Sequence, residues 1–534
     1  AGRVWREDLR VLRRRRPTHL DEPQARRLPR HAASVPGVVV RDAGHPGLGH
    51  GGGRSMTAPG RLTGGVEACQ PFSPKEVPNM NFVLILSDTL RWDHLGASGN
   101  DWIRTPNLDK LASESLIFDR AYTGSFPTIP HRTDVMTGKW VYPFRGWTPL
   151  PDDETILSQR LFDAGYVTML INDTPHLVRD GHRFDRGFQA WHWNRGQEGD
   201  RAITDNIRVD LPCAPEKIRG PERMRANHYR WRARNWKTER DTFAARTLQD
   251  AADWIELNHT HDRFFLWVDC FDPHEPWDPP QHYVDLYDPG YEGELIDHPE
   301  YRWCKELGLT DAEVRHAKAL YAGEVTLVDT WVGRLLEKLD YCGKLDDTVV
   351  IFHADHGFNV GDHDRMGKCN HNPHEPNWPY FEEVSHVPLL IRAPAGPRGE
   401  RNHFLAQGVD LLPTMLELAG LPIPEGVKGT SLAPALRGEP LPERPVAVTT
   451  TVLAQPNAAA ARAMTSVTDG TWTLHYRGNG EAWDLVNVED DPAQEKNLAE
   501  SDRPEAERLH KLHMAQLHYA GVREDVIELR AKLP

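Results

Sequence analysis

Residues 81–88, NFVLILSD, form a continuous apolar run that ends in a carboxylate. A short run of this kind, without alternation, predicts a strand buried on both faces. The pattern recurs in YVTMLIND (166–173), FFLWVDCFDPH (264–274) and DTVVIFHADHG (347–357), each closing on Asp or on Asp and His. Between these runs the apolar positions adopt helical spacing. TPNLDKLASESLIFDRAY (105–122) opens on Thr-Pro, a helix-start signal, and TILSQRLFDAG (155–165) closes on a glycine stop. TFAARTLQDAADWIELN (242–258) and HAKALYAGEVTLVDTWVGRLLEKL (316–339) are longer helical patterns. Strands alternating with helices predict an α/β fold with a mostly parallel central sheet. Ligands of such sheets bind beyond the carboxyl ends of the strands, so the four acidic strand ends point to one shared site.

The remaining segments divide the chain. Residues 195–240, rich in charge and tryptophan, read as an insertion over the site. Turn-rich PAGPRGERN and LRGEPLPERP mark the end of a large domain, 80–440. Short alternating strands (RAMTSVTDGTWTLHYRG) and a terminal helix predict a small α+β subdomain over 441–534.

Composition narrows the function classes. The chain has 534 residues, 39% hydrophobic and 26% charged, as expected of a globular protein. It lacks any run of about 18 apolar residues, so no membrane span is expected. A net charge of −15 argues against nucleic acid as a partner. Six cysteines without paired spacing suit a reducing compartment. Residues 1–79 have the opposite charge balance, with 14 Lys+Arg against 7 Asp+Glu, and no sustained apolar period. They are expected to be a disordered tail or a non-native extension, since Met80 directly precedes the first strand, and a cytoplasmic location is expected with it.

The candidate chemistry lies at the strand ends. Asp355 and His356 can both reach one divalent cation if the backbone bends at Gly357, and Asp88 is a second strand-end carboxylate. This oxygen-and-nitrogen set suits Zn, Mn, Ca or Mg. Thr128, in GSFPTIPHRTDVMTG, reads equally well as a nucleophile activated by such a cation and as a hydroxyl bonding the following turn. His274, stiffly held between prolines, fits an oxyanion contact, a proton donor or a ligand. Lys368 suits a point-charge contact to a phosphoryl or sulfuryl oxygen. The neighbouring His363, His371 and His374 are compatible with a second metal.

Taken together, NFVLILSDTLRWDHLG, AYTGSFPTIPHRTDVMTG, DPHEP, FHADHGFNVGDH, MGK and VDLLPTMLELAG resemble the sulfatase branch of the alkaline phosphatase superfamily over most of 80–500. The resemblance implies an alkaline-phosphatase-like α/β/α sandwich and a metal held by Asp88, Thr128, Asp355 and His356. It also implies a nucleophile at Thr128, Arg132 steadying nucleophile and anion, and His274 and Lys368 contacting substrate oxygens.

The chain departs from that family where it matters most. Sulfatases begin the motif corresponding to TIPHR with Cys or Ser, which is oxidised to formylglycine; Thr128, a secondary alcohol, would give a ketone. Thr89 replaces the second Asp of a pair, and NDTPH (172–176) replaces a segment with a sulfate-contacting lysine. Threonine is the nucleophile in related phosphodiesterases. The expected activity is therefore hydrolysis of phosphodiesters or phosphonate monoesters through a covalent phospho-threonine. A sulfatase using threonine directly and a non-catalytic metal-binding relative are the alternatives. The expected partner is a small-molecule phosphoester or sulfate ester, and a homo-oligomer is compatible with the sequence.

Overall fold

The computed structural model describes residues 80–368, 377–478 and 483–533. The expectations for 1–79, His371 and His374 fall outside these residues. An eight-stranded sheet forms the centre. Its strands are β1 (Asn81–Ser87), β2 (Leu116–Phe118), β3 (Val167–Asn172), β4 (Ala190–Trp193), β5 (Phe264–Cys270), β6 (Thr348–Ala354), β7 (Leu389–Arg392) and β8 (Glu400–Asn402). They lie in the order β8-β2-β7-β6-β1-β5-β3-β4. The pairings are parallel except those of β7 with β6 and β2. Every residue of β1, β5 and β6 is buried, which is why these strands read as unbroken apolar runs.

Helices complete the layers: α1 (Pro106–Ser113), α2 (Thr128–Thr137), α3 (Phe243–Asn258), α4 (Asp311–Tyr341), α5 (Leu411–Leu418) and α6 (Arg503–Ala520). A capping box starts α4, with Thr310 accepting from Glu313 N while the Glu313 carboxylate accepts from Thr310 N. From inside α4, Asp329 accepts from the backbone N–H groups of Asn107 (3.0 Å) and Leu108 (2.7 Å), satisfying the open start of α1. The helical reading of 105–122 is corrected here. The helix stops at Ser113, and Leu116–Phe118 form a strand paired with Leu390 and Ile391. Three consecutive buried apolar residues suit a two-faced central strand better than a one-faced helix.

The 195–240 stretch consists of loops and short helical turns anchored by ion pairs. Asp278 holds both His228 and Arg232 at 2.8 Å. Beyond it, β9 (Ala447–Thr450), β10 (Thr465–Thr468), β11 (Trp472–Tyr476) and β12 (Asp484–Asn487) form an antiparallel sheet in sequence order, with α6 packed on it. This C-terminal sheet does more than close the chain. Phe126 N donates to Thr450 O (2.9 Å) and Thr449 Oγ1 donates to Thr123 O (2.6 Å), so β9 braces the loop that delivers Thr128. Among the described residues, Cys213, Cys270, Cys304 and Cys342 are free thiols, and no helix is long and apolar enough to cross a membrane.

Candidate active site

Asp88 follows β1 and Asp355 follows β6, and because these strands are parallel neighbours the two carboxylates emerge side by side. With His356 they place one ligand atom each within 4.8 Å of one another, all fully buried. Another chain segment passes close to Gly357: a Cβ there would lie 2.1 Å from Glu383 O, so only glycine fits. His356 Nδ1 donates to Gly357 O (3.1 Å), which leaves Nε2 as the lone pair facing the cluster.

Electrostatics favour a cation at this point. Burial, and then the neighbouring Asp355, push the Asp88 carboxyl well above its usual range. Asp88 Oδ2 lies 3.2 Å from Arg132 Nη2 yet receives no hydrogen bond. Burial also opposes ionisation of Asp355, but His356 and Arg132 outweigh it and hold that carboxyl well below the usual range. Two buried carboxylates, an orphaned oxygen and an imidazole lone pair fit a hard or borderline divalent ion.

Thr128 opens α2, where unpaired N–H groups and the helix dipole favour an anion. It is 2% exposed, and its Oγ1 lies 3.5 Å from His356 Nε2. Four residues along the helix, Arg132 is fully buried. Its Nε and Nη2 donate to the two oxygens of Asp269 (2.9 Å each), and its Nη1 donates to Asp355 (2.6 Å) and to Thr128 O (3.2 Å). The fork that the sequence offers to an incoming anion is thus engaged by Asp269. Arg132 ties α2 to the buried Asp88 and Asp355 carboxylates instead.

Lys368 Nζ sits 3.4 Å from His356 Nε2 and 3.5 Å from Thr89 Oγ1. Burial lowers its pKa, with Glu275, Asp88 and Asp355 working against the shift. His274 Nδ1 donates to Glu275 O (2.7 Å), and its ring stacks on Phe271 at 4.1 Å. Burial pushes its pKa down, so the resting ring is neutral. His363 goes elsewhere, stacking on Phe381 and facing Glu383. Asp173, the fourth acidic strand end, turns away to accept from Phe271 N and Thr247 Oγ1.

Several site residues carry no sequence signal of their own. Asp269 is one strand-end carboxylate among several until Arg132 is seen on it. Thr89, in the place of the family's second Asp, donates to Asp88 Oδ1 at 2.7 Å. It does so from φ +66°, a conformation that a β-branched residue rarely adopts and that the surrounding structure must enforce. A cavity of about 170 Å³ opens on Thr128, His274 and Lys368. Its outer wall includes Trp147, His176 and Tyr301, together with Glu198, Arg219 and Arg223 from the 195–240 stretch. A larger surface hollow, of about 360 Å³ beside Lys305, Arg315 and Asp364, shares no residue with this cavity.

The sulfatase family model matches residues 80–421, which takes in every residue of this cluster. The chain belongs to the sulfatase family. The C-terminal model of N-sulphoglucosamine sulphohydrolase matches residues 377–520. An arylsulfatase of Clostridium perfringens is 28% identical over 398 residues, covering 66% of this chain and 77% of its own. The multifunctional alkaline phosphatase superfamily protein PehA of Trinickia caryophylli is 27% identical over 415 residues, covering 67% and 78%. In structure, the phosphonate monoester hydrolase of Agrobacterium radiobacter superposes with a TM-score of 0.64 at 21% identity, over 82% of this chain and 95% of its own. The sequence relatives include sulfatases, the structural neighbour shares the fold, and this sulfatase-family chain is a sulfatase-like hydrolase. Members of the family use a divalent metal, and the Asp88, Asp355 and His356 cluster is where this chain's residues suit one.

Proposed function

We propose that this protein is a metal-dependent hydrolase of phosphodiesters or phosphonate monoesters, with Thr128 as the nucleophile. One observation carries the reading. The position that holds the formylglycine precursor in sulfatases is here a threonine at a helix N-terminus, 3.5 Å from the lone pair of His356. A secondary alcohol gives no aldehyde on oxidation, so the hydroxyl acts directly. Asp88, Asp355 and His356, with Thr128 Oγ1, would hold the cation; when bound it lowers the hydroxyl's pKa and offsets the paired carboxylates.

The chain's own groups complete the chemistry. The α2 N-terminus and Lys368 face the oxygens of the bound anion. The Thr128 Oγ–P bond forms as the P–O bond to the leaving alcohol breaks, and the hydroxyl proton ends on the departing oxygen. Water then attacks phosphorus, passing a proton to neutral His274, and the Thr128–P bond breaks. That proton returns to Thr128, so the threonine is restored and a phosphate monoester (from a diester) or a free phosphonate (from a phosphonate monoester) is released. Arg132 holds Thr128 and both ligand carboxylates in register throughout.

The arylsulfatase relative supports a second reading, in which threonine attacks sulfate esters. Both readings are tested by turnover of matched aryl phosphate diesters, methylphosphonates and sulfates by wild type and Thr128→Ala. The proposal expects phosphorus esters to be favoured and the variant to lose at least about a hundredfold in kcat while staying folded. A wild type that prefers sulfate esters refutes the reaction class. A Thr128→Ala variant with near wild-type rates refutes the nucleophile.

A further inference from the structure

We infer that the Glu275 carboxylate is the counter-charge of His274 in the hydrolytic half of the reaction, a positioning residue that acts through the imidazole. The inference rests on the proposed function, in which His274 takes a proton from the attacking water.

Glu275 follows His274 in the chain and is fully buried, whereas His274 lines the cavity. Its Oε1 accepts from the Tyr301 hydroxyl and lies 3.9 Å from Arg219 Nη1. Its Oε2 stands 3.2 Å from His274 Nδ1 and takes no hydrogen bond. Burial raises the Glu275 pKa, and Lys368, Arg219 and the Tyr301 hydroxyl work against that rise. Two cations and a hydroxyl donor therefore favour the ionised form. A buried carboxylate oxygen without a donor is costly, and a positive charge placed beside it offsets that cost.

The His274 ring is set to supply that charge. Nδ1 faces Glu275 O at 2.7 Å, and a carbonyl only accepts, so Nδ1 carries the N–H. Burial keeps the resting ring neutral, so the lone pair is on Nε2. Phe271 stacks on the ring at 4.1 Å and fixes its plane. Lys368, His356 and His176, from three other segments, all oppose a charge on the ring. The carboxylate at Nδ1 stands against them.

The consequence falls on one step. As water attacks phosphorus, its proton passes to Nε2 and the ring becomes an imidazolium with a proton on each nitrogen. The Thr128 Oγ–P bond breaks as the new P–O bond forms, and the Nε2 proton then restores the threonine hydroxyl. The ring is charged only between these two proton movements, with Oε2 3.2 Å from Nδ1. Formation of the Thr128–P bond puts no proton on His274, so Glu275 does not serve that step. A carboxylate beside the far nitrogen of a histidine base acts in the same sense in a Ser-His-Asp triad.

Rapid acid quench of wild type and Glu275→Gln on the best phosphorus ester separates the two rate constants. Glutamine keeps the shape and an acceptor for Tyr301 but removes the charge. The inference predicts that loss of the Thr128-bound group slows about tenfold or more while its formation stays within about threefold, so the adduct accumulates. In a His274→Ala background, Glu275→Gln should slow hydrolysis no further. Tyr301→Phe, which withdraws the hydroxyl from Oε1, should slow the same step by a smaller factor, and it carries the test if Glu275→Gln fails to fold. Equal slowing of both steps, unchanged hydrolysis, or an additive loss in the His274→Ala background overturns the inference. A wild type that forms no Thr128 adduct overturns the proposed function instead, and this inference with it.

Discussion

At the scale of single residues, the site depends on carboxylates that would repel one another without a positive partner. Asp88 and Asp355 are both fully buried, and Arg132 is the protein's own cation between them. Replacing Asp355 by alanine should abolish stoichiometric divalent metal, read by elemental analysis of the purified protein, while circular dichroism stays native. Full metal occupancy in that variant would contradict the ligand set. Arg132→Lys keeps a charge but cannot span Asp269, Asp355 and Thr128 O with a planar fork. It should weaken metal affinity by about ten- to a hundredfold, measured by chelator competition, and reduce turnover along with it. An unchanged metal affinity would mean that Arg132 does not organise the ligands.

At the scale of elements, α2 is held at its C-terminus and near its middle. Its C-terminus stops at Gly138, in the left-handed conformation (φ +66°). Near its middle, Asp134 accepts from Ser125 N, Ser125 Oγ and Val141 N at 2.8 Å each, closing the loop that precedes Thr128. Asp134→Ala would leave these buried donors unsatisfied and should destabilise the protein by about 3 kcal/mol or more, read from urea unfolding. A change below about 1 kcal/mol would show that water replaces the carboxylate. Much of this level was legible in the sequence. The long apolar runs of β1, β5 and β6 announced buried strands, and their terminal acids announced the site. Leu116–Phe118 was not legible as a strand, because three residues too short for any period sit directly after a helix. Asp269 was not legible as a partner either, since a sequence gives a residue's type but not what stands opposite it 137 positions away, as Arg132 does for Asp269.

At the scale of the whole molecule, stability should depend on pH through histidines buried in the neutral form. Burial pushes both His298 and His475 down to about 3. Each folded pKa lies below the unfolded value of about 6.5, so the unfolded chain binds more protons between the two. The stabilisation is intact above pH 6.5 and is lost as pH falls toward 3, at about 1.4 kcal/mol per pH unit for each histidine. Urea midpoints measured from pH 7 to 4 should fall accordingly, and His475→Phe should make the fall shallower. A flat profile would contradict neutral burial. The strands, the brace from β9 and the Asp88, Asp355 and His356 cluster all converge on one hydroxyl, so the proposed function is tested most directly by trapping it. Wild-type protein quenched in acid during turnover of its best phosphorus ester, then digested and sequenced by mass spectrometry, should carry one phosphoryl or phosphonyl group on Thr128. Thr128→Ala should carry none. Unmodified Thr128 under saturating turnover, with the group found on another residue or on none, would contradict the account.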